Sequence, residues 1–307
     1  MVPPPRLHRT AVAERIDTRA APFDADAGPE SRGAYDAAVA RAFRIMGIVN
    51  VTPDSFSDGG EWFEREAAIA HGRELVAEGA GILDVGGEST RPFSDPVPLA
   101  EERARVVPVI AALRDAGAQL SVDTMKVEVA RAAIDAGATY VNDVTAFRHE
   151  PAMAALVAEH GCDCCLMHML GDPKTMQVDP RYDDVVSEVK AFLEERAAFA
   201  VAEGVAAERI ALDPGIGFGK TVAHNLELLR RLEEIVALGF TVVVGTSRKG
   251  FLGTLVGRED PHDRVAATVA TNVLAFERGA TVFRVHDVAA TADALTVAAA
   301  TLPGDGA

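Results

Sequence analysis

From Phe43 onward the chain alternates between two textures: short apolar runs rich in β-formers, and longer amphipathic stretches rich in Ala, Glu and Arg. The runs predict strands at 43–50, 81–85, 119–122, 139–142, 162–168, 209–212, 240–244 and 281–285. The stretches predict helices at 64–78, 101–116, 127–136, 151–160, 183–203, 224–237 and 264–278. Gly79, Gly117, Gly137 and Gly279 close helical stretches just before a strand, where a left-handed cap is expected.

Strand–helix alternation repeated eight times implies an all-parallel sheet, either open and doubly wound or closed into a barrel. Every strand ends in polar groups: Asn50, Asp84 with Glu88, Asp123, Asn142 with Asp143, His168, Asp213, Ser247-Arg248-Lys249, and Arg284 with His286 and Asp287. An open sheet concentrates its chemistry at one switch point, whereas a barrel gathers all its strand ends around one mouth. The expected fold is therefore α/β, a single-domain (β/α)8 TIM barrel. Residues 41–302 form it, between a poorly ordered leader over 1–40 and a fraying tail over 303–307.

Composition narrows the class. Of 307 residues 49% are hydrophobic and 25% charged, as in a soluble globular protein. The net charge of −16 argues against a nucleic-acid or membrane-surface binder but allows an anionic small substrate held by local Arg and Lys. No stretch is long and apolar enough to span a bilayer, and the leader lacks a signal-peptide core. Cys162, Cys164 and Cys165 sit in one strand, whose alternating geometry separates their side chains, so they read as buried thiols of a reducing cytoplasm rather than a zinc site.

The loops carry the candidate chemistry. Gly215-Ile216-Gly217-Phe218-Gly219-Lys220-Thr221 imitates a nucleotide loop, but Pro214 stands where the first glycine belongs and Lys220 spoils the dinucleotide pattern. These glycines are expected to let the loop fold close to a ligand. Asp213 before Pro214-Gly215 reads either as a turn or as a carboxylate accepting two parallel N–H bonds. Asp123 and Asn142 read as rim hydrogen bonding or as partners for a heterocycle. His168 alone reads as a rim or core histidine. The chain has five lysines, at 126, 174, 190, 220 and 249, and all but Lys190 follow strands or open helices. Lysine thus sits where a compact point charge is useful. Cations after the seventh and eighth strands fit a barrel phosphate site.

Taken in order, the motifs resemble one family. They are Asn50-Val51-Thr52-Pro53-Asp54-Ser55-Phe56-Ser57-Asp58-Gly59-Gly60, Gly86-Gly87-Glu88-Ser89-Thr90-Arg91-Pro92, Ser121-Val122-Asp123-Thr124, Val141-Asn142-Asp143-Val144, Leu166-Met167-His168-Met169, Asp213-Pro214-Gly215, Ser247-Arg248-Lys249 and Arg284-Val285-His286-Asp287. Over about residues 43–300 they are similar to the dihydropteroate synthases, TIM-barrel enzymes that join p-aminobenzoate to a pterin diphosphate in folate synthesis.

The resemblance implies a role for each matching residue. Asp123, Asn142, Asp213, Lys249, Arg284, Met167, Gly217 and Phe218 would hold the pterin. Asn50, Arg91, Arg284 and His286 would hold the diphosphate, with Mg²⁺ at Asn50. Phe56, Thr90, Pro92, Phe218, Ser247, Arg248 and Lys249 would surround p-aminobenzoate. Lys249, Asp54 and Arg284 would be catalytic. Diphosphate would leave first and the amine attack second, in a cytoplasmic homodimer that is a sulfonamide target. Two residues depart from the family's habit: Phe93 for the usual Gly, and Leu170 for Arg or Gln. Phe93 bears on sulfonamide response. The alternatives are a pterin-binding methyltransferase and a non-catalytic paralogue. Each is expected to have lost residues from these loops.

Overall fold

The fold follows the alternation. A computed structural model describes residues 42–51, 60–90 and 94–302. Eight parallel strands pair in chain order and close into a barrel: β1 (Arg44–Asn50), β2 (Ile82–Gly86), β3 (Gln119–Asp123), β4 (Tyr140–Asp143), β5 (Asp163–Met167), β6 (Ile210–Asp213), β7 (Thr241–Val244) and β8 (Val282–Val285). The helices are α1 (Gly60–Ala77), α2 (Leu99–Leu113), α3 (Val127–Ala136), α4 (Ala152–His160), α5 (Val185–Ala202), α6 (Val222–Arg230), α7 (Glu233–Val236), α8 (Gly250–Val256), α9 (Val265–Glu277) and α10 (Val288–Thr301).

Side chains alternate along each strand, so every second residue enters the barrel. Met46, Ile82, Tyr140, Cys165, Ala211, Val243 and Val282 form one buried cluster that fills the lumen. The outward set, including Ile45, Val49, Leu83, Val85, Val122, Val141, Cys164, Leu166 and Phe283, packs beneath the helices in a larger core. Cys164 and Cys165 thus fall in different cores, as alternation requires. Burial raises the pKa of all three thiols.

Strand positions agree with the sequence reading to within a residue at each end, and α3 matches it. The four cap glycines have positive φ, from 94° at Gly117 to 123° at Gly137. The helices differ in places. The stretch 224–237 is two helices, broken where Arg231 leaves helical geometry (φ −109°, ψ 28°). There Arg231 reaches Asp184 at 2.8 Å and Glu234 at 2.6 Å. A separate short helix, α8, follows β7, and Asp260 caps a 3-10 turn (Pro261–Arg264) ahead of α9. The final helix, α10, completes the eighth unit. The expected leader and tail, and Asp54, Phe56, Arg91, Pro92 and Phe93, lie outside the described residues. Among the described residues no helix is long and apolar enough to cross a membrane.

Candidate active site

Stepping two residues along the inward face of six strands from the lumen layer reaches a second layer, polar everywhere except at Met167. Ile82 leads to Asp84, Ser121 to Asp123, Tyr140 to Asn142, Cys165 to Met167, Ala211 to Asp213 and Val282 to Arg284. The same parity carries Met46 through Ile48 to Asn50, and Arg284 on to His286. Strand periodicity therefore aims these groups at the C-terminal mouth, where barrel enzymes place their chemistry.

Arg284 is the hub of this layer. Its Nε donates to Asp84 Oδ2 and its Nη2 to Asp123 Oδ2, each at 2.7 Å. Asp84 is wholly buried and also accepts Ser121 Oγ at 2.5 Å and Asn142 Nδ2 at 2.9 Å. The buried carboxylate is thus fully hydrogen-bonded, which offsets its desolvation. Burial disfavours the guanidinium charge, but Asp84 and Asp123 hold Arg284 protonated above its ordinary range. Burial pushes Asp123 up against the pull of Arg284. The sequence places Asp84 at a strand end, and the motifs imply no role for it. Its inward parity beside Ile82 was the signal for one.

A second group surrounds Asp213. Its Oδ1 accepts the Gly215 N–H at 2.6 Å, as the turn reading expects, and the carboxylate lies buried on the inward face of β6. Lys249, at the N-terminus of α8, donates to the Ile216 carbonyl and sits 4.5 Å from the Phe218 ring centroid. Phe218 packs on an apolar wall of Val144, Met167, Met169 and Met176. The glycines fold this loop against protein: a Cβ on Gly215 (φ 66°) would lie 1.8 Å from the His168 carbonyl oxygen. One on Gly217 (φ 86°) would lie 2.9 Å from Lys249 Cδ. The close approach expected toward a ligand is thus made first to the β5 loop and to Lys249. Lys220 points inward, to His168, and not to a nucleotide. His168 is the buried rim histidine expected, held near pKa 2 by burial and by Lys220 and Arg148.

At the rim, Ser247 Oγ lies 3.0 Å from His286 Nδ1, which joins the β7 and β8 loops. Arg248, in left-handed geometry (φ 58°), turns its fork onto Asp287 at 3.0 and 2.6 Å. It does not join the cluster around Lys249. Thr90 is half-buried on the β2–α2 loop, and a small cavity between it and Asp123 is lined by Glu88, Glu102, Thr124 and Val144. Asn50 ends β1 at the mouth, partly exposed. An amide oxygen is a hard donor of the kind Mg²⁺ prefers. Among the described residues no three His, Cys, Asp or Glu gather around a metal position. A single amide oxygen fits a Mg²⁺ that draws its other ligands from water and a substrate's phosphates.

The pterin binding enzyme family matches residues 46–286. A dihydropteroate synthase of Neisseria meningitidis serogroup C is 48% identical over 255 residues, covering 82% of this chain and 90% of the relative. The chain belongs to the dihydropteroate synthase family. The Xanthomonas albilineans synthase solved with 4-aminobenzoic acid superposes with a TM-score of 0.80 at 52% identity, covering 85% of this chain and 94% of the other. The same species' synthase in complex with 7,8-dihydropteroate gives 0.77 at 49%, covering 85% and 95%. Membership accounts for the closed barrel and for polar groups on nearly every strand end.

Proposed function

We propose that this chain condenses p-aminobenzoate with a 7,8-dihydropterin-6-ylmethyl diphosphate, giving 7,8-dihydropteroate and diphosphate. One observation carries the reading: Asp123, Asn142, Asp213 and Arg284 share one inward layer, with Lys249 and Phe218 folded beside them. The layer offers two carboxylates and an amide to the N–H and ring-nitrogen edge of a pterin. Arg284 is gripped at its edge by Asp84 and Asp123, which leaves its flat face for the ring.

The reaction breaks the bond between the exocyclic methylene carbon and the diphosphate oxygen, and the electron pair leaves with diphosphate. The aryl amine's lone pair then bonds that carbon and the nitrogen sheds a proton. The residues' work is chiefly electrostatic. His286 and Arg284 face the leaving anion, while Asp123 and Asp213 stabilise the positive charge left on the pterin. Asn50 would hold Mg²⁺, which when bound neutralises charge on the diphosphate. Lys249 and Phe218 border the space for the amine, with Ser247 tied to His286 behind them. Cytoplasmic location and a homodimer belong to the same reading.

The test is direct. Purified protein with both substrates and Mg²⁺ is expected to release 7,8-dihydropteroate and diphosphate in equal amounts. Pterin binding without product would overturn the reading in favour of a non-catalytic paralogue.

A further inference from the structure

Lys126 takes no part in the chemistry above, yet its surroundings are built with care. It follows Asp123-Thr124-Met125 at the end of β3 and opens α3. Its ammonium reaches Glu88 Oε2 at 2.5 Å, the Val97 carbonyl at 2.7 Å, and Glu102 in an ion pair. Three donors meet three acceptors, so the ammonium is saturated. Glu102 is 1% exposed and also accepts Thr124 Oγ1 at 2.6 Å. Burial disfavours the lysine charge, but Glu102 and Glu88 hold it protonated above its ordinary range.

Two of these acceptors belong to opposite stems of one loop. Glu88 leaves β2 and Val97 enters α2, and the Val97 N–H donates to the same Glu88 oxygen at 3.2 Å. A second rung joins Ser94 Oγ to the Ser89 carbonyl at 2.5 Å. Arg105 Nη1 holds the Gly87 carbonyl at 2.8 Å. Thr90 stands on the stem so tied, across the small cavity from Asp123.

We propose that Lys126 is a positioning residue for the aryl-amine side of the site. It ties both stems of the β2–α2 loop to the end of β3 and so fixes Thr90 relative to Asp123. The inference rests on the proposed reaction. Lysine suits the task because a compact ammonium serves three diverging acceptors, whereas a planar fork does not.

The test uses the full-length enzyme. Glu88→Ala frees the β2 stem from Lys126 while leaving the Val97 carbonyl contact and the Lys126–Glu102 pair in place. Glu88→Gln restores an acceptor at the same place. The double variant Lys126→Met/Glu102→Gln removes the tie without stranding a buried charge. Hydrogen exchange at the Val97 amide is expected to accelerate in Glu88→Ala and in the double variant. The KM for p-aminobenzoate is expected to rise about tenfold, a loss of about 1.4 kcal/mol, with the KM for pterin diphosphate within about twofold of wild type. Glu88→Gln is expected to recover most of both effects. Unchanged exchange, unchanged KM for p-aminobenzoate, or equal rises in both KM values would overturn the proposal. Should the wild type make no dihydropteroate, the functional reading fails, and exchange at Val97 in Lys126→Met/Glu102→Gln, which keeps the Glu88 acceptor, still decides whether the tie exists.

Discussion

Lys220 Nζ lies 2.9 Å from His168 Nδ1, and both side chains are buried. The ammonium also reaches the Phe218 carbonyl at 3.0 Å and the His168 carbonyl at 3.4 Å. The pair thereby rivets the β6 loop, with Gly217 and Phe218, onto the end of β5. Burial pulls Lys220 down to about 7, with Asp213 opposing and Lys249 reinforcing the shift.

This shift makes stability depend on pH. A lysine in the unfolded chain titrates near 10.5. Between about 7 and that value the unfolded state binds more protons than the folded one, so stability rises with pH across the window. Below about 7 both states are protonated and the burial cost is fully present. Urea unfolding of wild type and Lys220→Met at several pH values isolates the effect. The wild type is expected to gain on the variant by up to about 1.4 kcal/mol per pH unit in this window. Parallel profiles would show that Lys220 stays charged throughout.

Asp213 serves the turn and is proposed to serve the ligand as well. One oxygen takes the Gly215 N–H, and an asparagine oxygen can do the same, so Asp213→Asn should fold. The other side would then present N–H groups to the pterin's N–H edge and to Lys249. Such a donor–donor clash in a buried site costs roughly 2–4 kcal/mol. Pterin affinity is expected to fall about a hundredfold or more by calorimetry. Unaltered affinity would leave Asp213 as a turn residue only.

Arg284 and His286 are both proposed to face the diphosphate, but only one gives a clean experiment. Arg284→Ala would strand Asp84, which is wholly buried, beside Asp123. Removing one partner from such a pair costs roughly 3–5 kcal/mol of stability, so a lower melting temperature should accompany any loss of binding. His286 is joined by Ser247 at the rim. His286→Ala should therefore keep the wild-type melting temperature and weaken pterin diphosphate far more than the pterin alcohol. Equal weakening of both ligands would make His286 a structural rim residue.

Much of this was legible in the chain because a closed barrel converts one-dimensional parity into position. Residues two apart on a strand face the same way, so the polar residue after each apolar lumen residue has to enter the mouth. Asp123, Asn142, Asp213 and Arg284 are found by that rule. What parity does not give is which polar groups pair with one another. Asp84 and Arg284 stand 200 positions apart and meet only because β8 returns to β1 beside β2. The resemblance implies p-aminobenzoate contact for Arg248, and parity gives no hint that its fork pairs with Asp287 in the adjoining loop. The lysine pattern pointed to functional loops. The structure separates Lys249 in the cleft from Lys220 and Lys126, which tie loops, and from Lys174, paired with Asp95 on the surface.

Lys249 supplies the last prediction, because its charge is lost within an accessible pH range. Burial lowers it to about 8, Arg284 adds repulsion, and Asp213 alone pulls the other way. Protonated, its ammonium donates to the Ile216 carbonyl and lies against Phe218, with donor capacity left for a pterin carbonyl or ring nitrogen. Deprotonated, it loses the charge that strengthens those bonds. Pterin affinity should therefore fall as pH rises through about 8. In Lys249→Met the affinity should be lower at neutral pH and this alkaline limb should vanish. Any ionisation of the ligand itself is common to both proteins and cancels in the comparison. Lys220→Met should keep the limb, since its ammonium faces His168 and not the cleft. Calorimetric titration of one pterin ligand across pH 6.5 to 9.5, at about half-unit steps, reads all three proteins. A limb that persists in Lys249→Met would remove Lys249 from the pterin site.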